Sequence, residues 1–440
     1  MHLATRPFGV SLMLVAAFTT SAGAGVLTVA PSGAAYTDIQ AAVTAANPGD
    51  LVLVSTGTYG PVTVDGKDLT ICADFGATVS IVGTTTVMNV SATQQVVLSN
   101  LTGAGVTSSL LDETAGAGLV VADNAGFVRV EACRFSGARG SDTGGFLQFC
   151  CDYGGHDEGW DGGLMRDNLA GVSLAGTTLI GGEGLQTNPN CGCGFGAVGG
   201  DALRVRATIV SLYDAMLVGG RGGSNGTTGG EGGAACRTIA GASTTGVFAS
   251  GSSFTGGDGG DGYDGIIWSE GGDGGSGLFV AAGTTVQLLG DQFSGGSGGI
   301  AAYDIFPAGS NGLGQVISGT AFTYPGTSVG FEAMTLARGG DQVRLEIQGT
   351  PGESVRLVVS STPTFQVVPS WRGVRLSAIG GRKVDRALGT IPSSGVLVDH
   401  VRMPQLPAGT PSRTYYVQAY RADPVGGPTL AAGYAVTVIP

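Results

Sequence analysis

The chain has 440 residues with a formal net charge of −12 at pH 7, and only 12% of its residues are charged. Binding to nucleic acid needs a basic surface, so this acidic composition argues against nucleic acid as a partner. Glycine accounts for 82 residues without a collagen-like Gly-X-Y period, and a hydrophobic content of 42% argues against wholesale disorder.

The N-terminus has the parts of a secretory signal peptide. Arg6 precedes an apolar run, Phe8–Phe18, and a small-residue triplet that fits a cleavage site ends at Ala24. The run is too short to cross a bilayer, and no other stretch has the pattern of a membrane span. We therefore predict a signal peptide over residues 1–24 and a mature chain, beginning at Gly25, that is secreted or held at the cell surface.

Residues 27–83 predict one short helix followed by strands. Thr37 and Gln40 have the spacing of a capping box, which predicts a helix that runs through Ala46 and ends at Pro48-Gly49. The expected strands are Leu51–Val54, Val62–Val64, Leu69–Cys72 and Val79–Val82.

The middle of the chain repeats one pattern five times. Apolar residues come in pairs two positions apart, such as Leu203/Val205 and Val210/Leu212, so both members of a pair point to the same face of a strand. Three short strands per coil of about 20 residues are typical of a parallel β-helix, and the N-terminal helix is expected to cover its open end. The repeats are Gly118–Gly137, Gly163–Gly182, Asp201–Gly220, Gly233–Gly257 and Gly277–Gly296.

Segments of the form GGxGG frame loops between the coils. We interpret them as the points where a loop leaves and rejoins its coil, because glycine adopts positive φ without steric penalty. Since every loop leaves at the same point of the repeat, stacking the coils places the loops along one edge of the solenoid. The segments are Gly219–Gly223, Gly229–Gly233, Gly256–Gly260, Gly271–Gly275 and Gly295–Gly299.

Three N-terminal motifs carry a resemblance. The runs DIQAA at Asp38–Ala42, PGD at Pro48–Asp50 and GTY at Gly57–Tyr59 resemble the opening of extracellular bacterial β-helix proteins with the pectin-lyase-like fold. With the repeats, the resemblance covers about Leu27–Gly319 and implies an all-β, right-handed parallel β-helix. That superfamily includes polysaccharide lyases, glycoside hydrolases and adhesins, so the fold alone does not give the function.

The last part of the chain differs in composition and in residue pattern. The GGxGG signature stops, proline becomes frequent, and short strands alternate with turns, which predicts a small β-sandwich-like domain over 320–440 after a β-helix over 25–319. The expected strands are Val343–Ile347, Val355–Val359, Val374–Ala378, Val396–Val401, Tyr415–Ala419 and Ala435–Ile439.

The densest group of polar residues is the first loop, which reads CCDYGGHDEGWD over Cys150–Asp161. Carboxylates beside aromatic rings suit sugar binding or glycoside hydrolysis, although a solvated loop without chemistry is the alternative. The candidate catalytic residues are Asp157, Glu158 and His156. The candidate ligand-binding residues are Asp152, Tyr153, Trp160 and Asp161, joined by Trp268 and Glu270 of the fourth loop on the same edge.

Four of the seven cysteines lie in neighbouring loops. Cys150 and Cys151 are in the first loop, and Cys191 and Cys193 are in the second, so we predict disulfides between the two loops. A zinc site is the alternative, although these spacings are unusual for zinc. The other three, Cys72, Cys133 and Cys236, are expected to be buried as small apolar residues.

Calcium is the one cofactor that the sequence suggests. Residues 256–264 fit the calcium-binding nonapeptide G-G-x-G-x-D-x-U-x, but in a single copy, whereas such sites use successive turns. The candidate ligands are Asp258, Asp261, Asp264 and Asp273.

Three hypotheses about function follow. The first is a non-catalytic, secreted or cell-surface β-helix protein that presents its loop edge to a polysaccharide or another cell-surface component. The second is a polysaccharide lyase or glycoside hydrolase that acts on an extracellular polysaccharide; with only two lysines, the base of a lyase would be an arginine, such as Arg134, Arg166 or Arg204. The third is a purely structural surface component.

Overall fold

The structure is a computed structural model that describes residues 24–107, 114–140, 158–186, 196–224, 228–241, 243–262, 269–301, 307–377, 383–422 and 427–440. The predicted signal peptide, apart from Ala24, lies outside these residues. In the part of the chain that is described, no helix is both long and apolar enough to cross a membrane.

Three long parallel sheets wind around one core, which confirms the predicted right-handed parallel β-helix. The first sheet has the strands Val26–Val29, Asp50–Val54, Leu69–Ala73, Gln95–Ser99, Phe127–Glu131, Val172–Ala175, Ile209–Tyr213, Gly246–Ser250, Thr285–Leu289 and Thr320–Thr323. The second has Val62–Asp65, Thr85–Met88, Leu119–Ala122, Gly163–Arg166, Leu203–Arg206, Cys236–Ile239, Leu278–Val280 and Gln315–Ile317. The third has Gly57–Tyr59, Val79–Val82, Leu101–Ala104, Arg134–Ser136, Thr178–Ile180, Met216–Val218, Ser253–Thr255 and Gln292–Ser294.

The core of the solenoid consists of stacked apolar rows. Leu203 pairs with Cys236, which in turn pairs with Leu278, and all three are fully buried. Cys72 and Cys133 are also buried free thiols, and burial raises the pKa of each to about 12. The expectation that these three cysteines pack as small apolar residues is therefore confirmed.

The helix Ile39–Ala45 packs its apolar side into the first coil, with Ile39, Ala42 and Val43 in the core. Its N-cap is Asp38, whose Oδ1 accepts a hydrogen bond from the Ala41 amide at 3.0 Å. The predicted capping box of Thr37 and Gln40 is wrong, because Gln40 instead bonds the Thr63 backbone on a neighbouring strand. Thr37 therefore lies outside the N-cap of the helix.

The GGxGG segments form a bundle that we name the glycine lattice. It has an outgoing layer (137–140, 181–184, 219–223, 256–262 and 295–299) and a returning layer (159–162, 196–200, 229–233, 271–277 and 309–314). Gly219 donates to the Thr255 carbonyl within its own layer, and Gly220 donates to the Gly200 carbonyl in the other layer. The third residue, Arg221, points outward. The same three-residue pattern then begins again at Gly222, which donates within its layer, and Gly223, which donates to the other layer. A period of three residues with hydrogen bonds to neighbouring segments is the geometry of packed polyproline II-type helices.

Close backbone approach explains why these positions are glycine. A Cβ atom on Gly220 would lie 1.9 Å from the carbonyl oxygen of Gly182, and one on Gly257 would lie 1.9 Å from that of Gly220. None of the glycines in the described lattice segments has a positive φ. The expected reason, freedom to turn where a loop leaves the coil, is therefore wrong; the segments need glycine because a side chain would block the hydrogen bonds between layers.

The C-terminal domain has three further sheets, and the solenoid reaches Thr323, four residues beyond the predicted boundary. The two larger C-terminal sheets share one buried cluster, as expected of a sandwich-like domain. Its members include Val343, Leu345, Leu357 and Val417. Of these C-terminal sheets, one has Gly330–Ala333, Gln342–Gln348 and Val396–Arg402. Another has Leu336–Arg338, Thr429–Ile439, Arg413–Ala422, Ser354–Ser360 and Lys383–Thr390. The last is the hairpin Pro363–Val368 and Gly373–Ser377, joined by the 3-10 helix Pro369–Trp371.

The C-terminal domain covers the outer face of the first β-helix sheet. Phe127, Tyr213 and Phe248 of that sheet belong to the buried cluster of the domain. Between them, Arg129 and Glu131 form an ion pair of 2.8 Å in which each side chain is only 1% exposed. Arg129 also donates to the Gly433 carbonyl, and Glu131 accepts from the Ala435 amide, so the pair joins the two domains. We name this contact the domain seam.

We predict that Glu131→Ala destabilises the protein by about 3–5 kcal/mol, because it leaves the Arg129 guanidinium buried without a counter-charge. Burial raises the pKa of Glu131, so unfolding in urea is best followed at pH 8. Glu346→Ala, which breaks a surface pair with Arg344, is the control and should cost less than about 1 kcal/mol. Equal costs for the two variants would contradict a special role for the buried pair.

For the lattice, we predict that Gly220→Ala costs about 3 kcal/mol or more, because the new methyl group cannot fit without separating the layers. Gly246→Ala is the matched control: it lies in a strand of the same solenoid, and its Cβ would meet its nearest neighbour at 3.4 Å. Thermal unfolding of both variants is the measurement. Similar melting temperatures would show that the lattice tolerates side chains.

Candidate functional site

The returning layer and the outer face of the second sheet form one continuous surface, which we name the front face. The chain runs directly from lattice segment 196–200 into strand Leu203–Arg206, and from 229–233 into Cys236–Ile239. Outward-pointing residues therefore continue from the lattice onto the sheet. The coils stack in register, so side chains distant in sequence become neighbours on this face.

Four charged residues meet where the lattice joins the sheet, and we name them the arginine–aspartate cluster: Asp161, Asp201, Arg204 and Arg237. Asp201 accepts from Arg237 Nε at 2.7 Å and from Arg204 Nη2 at 3.4 Å, and its other oxygen accepts from the Ala234 amide. Asp161 pairs with Arg204 Nε at 3.2 Å and accepts from the Asp201 amide at 3.1 Å.

Burial differs sharply between the two kinds of side chain. The carboxylates of Asp161 and Asp201 are only 4% and 3% exposed, whereas Arg204 and Arg237 are 32% and 35% exposed. The Arg237 guanidinium also lies 5.0 Å above the ring of Phe279 on the next strand. The buried carboxylates thus hold two arginines whose side chains are about one third exposed.

Asp161 has an unusual protonation equilibrium. Burial raises its pKa to about 7, and the Arg204 guanidinium opposes the rise. A carboxyl group with such a pKa exchanges its proton near neutral pH, which is a property of general acids and bases. The cluster can therefore present fixed hydrogen-bond donors and hold one exchangeable proton.

The structure places the candidate residues of the first and fourth loops differently. Asp161 lies in the cluster, and Glu158 and Glu270 are exposed directly before the returning segments 159–162 and 271–277. Trp160 is buried, and its ring packs against the backbone of Gly116, where a Cβ would lie 2.4 Å away. The remaining candidates lie outside the described residues: Cys150, Cys151, Asp152, Tyr153, His156, Asp157, Cys191, Cys193, Asp264 and Trp268.

Three of the four candidate calcium ligands, Asp258, Asp261 and Asp273, lie in the described layers and accept hydrogen bonds from backbone amides. Asp258 accepts from Ser297 at 2.7 Å, Asp261 from Ile300 at 2.9 Å, and Asp273 from Ser310 at 2.6 Å. Asp261 also pairs with Arg221. Within the described ranges, no three or more His, Cys, Asp or Glu side chains gather as a metal site. Calcium binding that includes Asp264 stays a prediction.

Sequence reasoning missed two members of the cluster. Asp201 and Arg237 are 36 residues apart and meet only because the coils stack in register. A signal was present, because Asp161 and Asp201 occupy the same position before consecutive second-sheet strands. Of the proposed arginines, Arg204 belongs to the cluster, Arg166 lies 3.9 Å from Asp123, and Arg134 is exposed on the third sheet.

Comparison with known proteins gives a fold-level similarity only. No protein-family model matches the chain, and no curated protein matches it. Among solved structures, the chain is similar to the one described as "Crystal structure of pectate lyase Pel9A", with 12% identity and a TM-score of 0.33 over 68% of this chain and 78% of that one. The three parallel sheets by themselves define the protein as a β-helix protein.

The raised pKa of Asp161 predicts a pH-dependent contribution to stability. The folded state favours the neutral acid, so this contribution is complete below about pH 4, the ordinary value of an aspartate, and is lost as the pH rises through about 7. Asp161→Asn should therefore lose less stability than the wild type between pH 5 and pH 8 in thermal unfolding. Asp123→Asn, at an exposed carboxylate, is the control; identical pH profiles of Asp161→Asn and wild type would contradict the prediction.

Proposed function

We propose that this protein is a secreted or cell-surface β-helix protein whose front face binds a glycan without cleaving it. The observation that carries this proposal is the pair of partly exposed arginines, Arg204 and Arg237, fixed by the buried Asp201. Each arginine side chain is held by a buried carboxylate and is still about one third exposed, so a sugar hydroxyl can approach it from solvent. Because the donors are held in place before binding, little side-chain entropy is lost on association.

The charge of the front face favours a neutral glycan. The two arginines of the cluster are paired with Asp201 and, above about pH 7 where it is ionised, with Asp161. Beyond them, the lattice carries exposed carboxylates at corresponding positions of consecutive segments, including Glu231 and Asp273. An acidic polysaccharide would meet like charges there, which costs binding free energy. A hydroxyl-rich, uncharged chain avoids this repulsion.

The regularity of the lattice supports binding to an extended partner. Its segments lie side by side, joined by backbone hydrogen bonds within and between layers. Such a surface presents the same outward positions again in every coil, as suits a partner with repeated units. Secretion, which this proposal includes, is supported by the signal-like residues 1–24.

Catalysis is the second candidate function, and one observation favours it. The pKa of Asp161, at about 7, suits a general base beside Arg204. In this alternative the protein is a polysaccharide lyase or glycoside hydrolase, with Glu158, directly before the returning segment of Asp161, and Asp157 and His156 as further candidates. Formation of a product separates this function from binding alone.

We predict that the double variant Arg204→Gln/Arg237→Gln binds neutral polysaccharide at least about tenfold more weakly than the wild type, a change of about 1.4 kcal/mol. Affinity electrophoresis of Gly25–Pro440 in gels containing neutral or acidic polysaccharides measures this. Arg134→Gln, on the exposed third sheet, is the matched control, and thermal unfolding verifies that each variant is folded. Unchanged retention of the double variant would refute the proposed binding face.

The same samples test catalysis through release of reducing ends and absorbance of unsaturated sugars. We expect no product from the wild type on any of the polysaccharides. A product that disappears in Asp161→Asn, with binding retained, would establish the enzyme instead.

A further inference from the structure

A second concave site lies beside the domain seam, away from the arginine–aspartate cluster. It is a cleft of about 830 Å³, which we name the seam cleft. One wall comes from turns of the β-helix, residues 92–95 and 169–171, and the other comes from Ser361–Val367 of the C-terminal domain. Its volume lies within the range of about 300–1,000 Å³ that is usual for small-molecule sites.

Aromatic packing fixes the wall that the C-terminal domain contributes. The ring of Phe365 lies 5.3 Å from that of Phe127 on the first sheet. It also rests on Gly171, which has a φ of +89° and where a Cβ would lie 2.7 Å from the ring. Glycine at position 171 thus serves both the turn and the close approach. The cleft is therefore formed before any ligand arrives.

The lining combines apolar rings with uncharged polar groups. Asp68 is the one carboxylate among the lining residues, and burial raises its pKa. Phe365 and Tyr416 supply apolar ring surface. The uncharged polar side chains are those of Thr93, Gln94, Gln95, Ser361, Thr362, Thr364 and Gln366. Such a lining matches a ligand that carries many hydroxyl groups and little charge.

Gln95 provides the most specific feature of the cleft. Its Nε2 donates to the Tyr416 hydroxyl, whereas its Oε1 is buried without a hydrogen-bond donor. A buried acceptor without a partner costs free energy, so an arriving donor is favoured there. A ligand hydroxyl is such a donor. Gln95 as a whole is only half-buried and lines the cleft, so a rotation about its last side-chain bond brings Oε1 to that hydroxyl.

We propose that the seam cleft binds a neutral oligosaccharide, with one hydroxyl donating to Gln95 Oε1 and a sugar ring lying against Phe365. This site is separate from the front face and does not depend on the function proposed for that face. An extended peptide is the other class of ligand to consider. The amide- and hydroxyl-rich lining with a single carboxylate favours the sugar.

Isothermal titration calorimetry with cellohexaose, maltohexaose, xylohexaose and laminarihexaose tests the proposal, with trigalacturonate as the acidic comparison and a Gly-Ser hexapeptide as the peptide comparison. The titrations use the double variant Arg204→Gln/Arg237→Gln as the parent protein, so that the front face does not contribute, and we expect at least one neutral hexaose to bind it. Gln95→Met should weaken that binding at least tenfold. Thr93→Trp, which places a bulky ring on the exposed lip of the cleft, should abolish it.

Two controls locate the binding. Thr102→Trp makes the same substitution at an exposed position of the third β-helix sheet and should bind like the parent protein. Binding that remains in the Arg204→Gln/Arg237→Gln parent belongs to the cleft, because this parent lacks the arginines of the front face. The proposal is overturned if no neutral hexaose binds, if binding survives Thr93→Trp, or if the peptide alone binds.

Discussion

The rest of this structure depends on one constraint: neighbouring backbone segments of the glycine lattice lie in direct contact. Each segment donates amide hydrogen bonds to two neighbours, one in its own layer and one in the other layer. A side chain at such a position would meet a carbonyl oxygen at about 2 Å, as at Gly220. The glycines allow the segments to approach closely, and the backbone hydrogen bonds determine which segments lie side by side.

The lattice also determines what the second sheet can present. Its returning segments continue without a break into the strands of that sheet, so they deliver Asp161 and Asp201 to the starts of strands Gly163–Arg166 and Leu203–Arg206. Each aspartate there pairs with the arginine of the next strand, Arg204 or Arg237. Irregular loops would give these carboxylates no fixed position. Their burial beneath the arginines follows from the packing of one segment on the next, and burial in turn raises the pKa of Asp161.

The C-terminal domain is part of the same structural unit. It covers the apolar outer face of the first sheet, which would otherwise expose rings such as Phe127, Tyr213 and Phe248. A buried ion pair is tolerated at this seam because both of its members have further hydrogen-bond partners across the interface. The seam cleft arises beside this contact, where the hairpin that carries Phe365 stands against the turns of the β-helix.

The sequence by itself determined the β-helix, the buried cysteines and most strands. Alternation of apolar residues is visible within a single strand, so it can be recognised without knowing which strands pair. Strand Val79–Val82 was predicted at its observed limits for this reason. Only the tertiary structure decided why the GGxGG segments are glycine, that Asp38 caps the helix, and that Asp201 holds Arg237. These facts depend on which segments lie side by side, and the residues that meet there are tens of positions apart in the chain. Stacking register and the match between two domain surfaces are properties of the whole fold, so no local pattern encodes them.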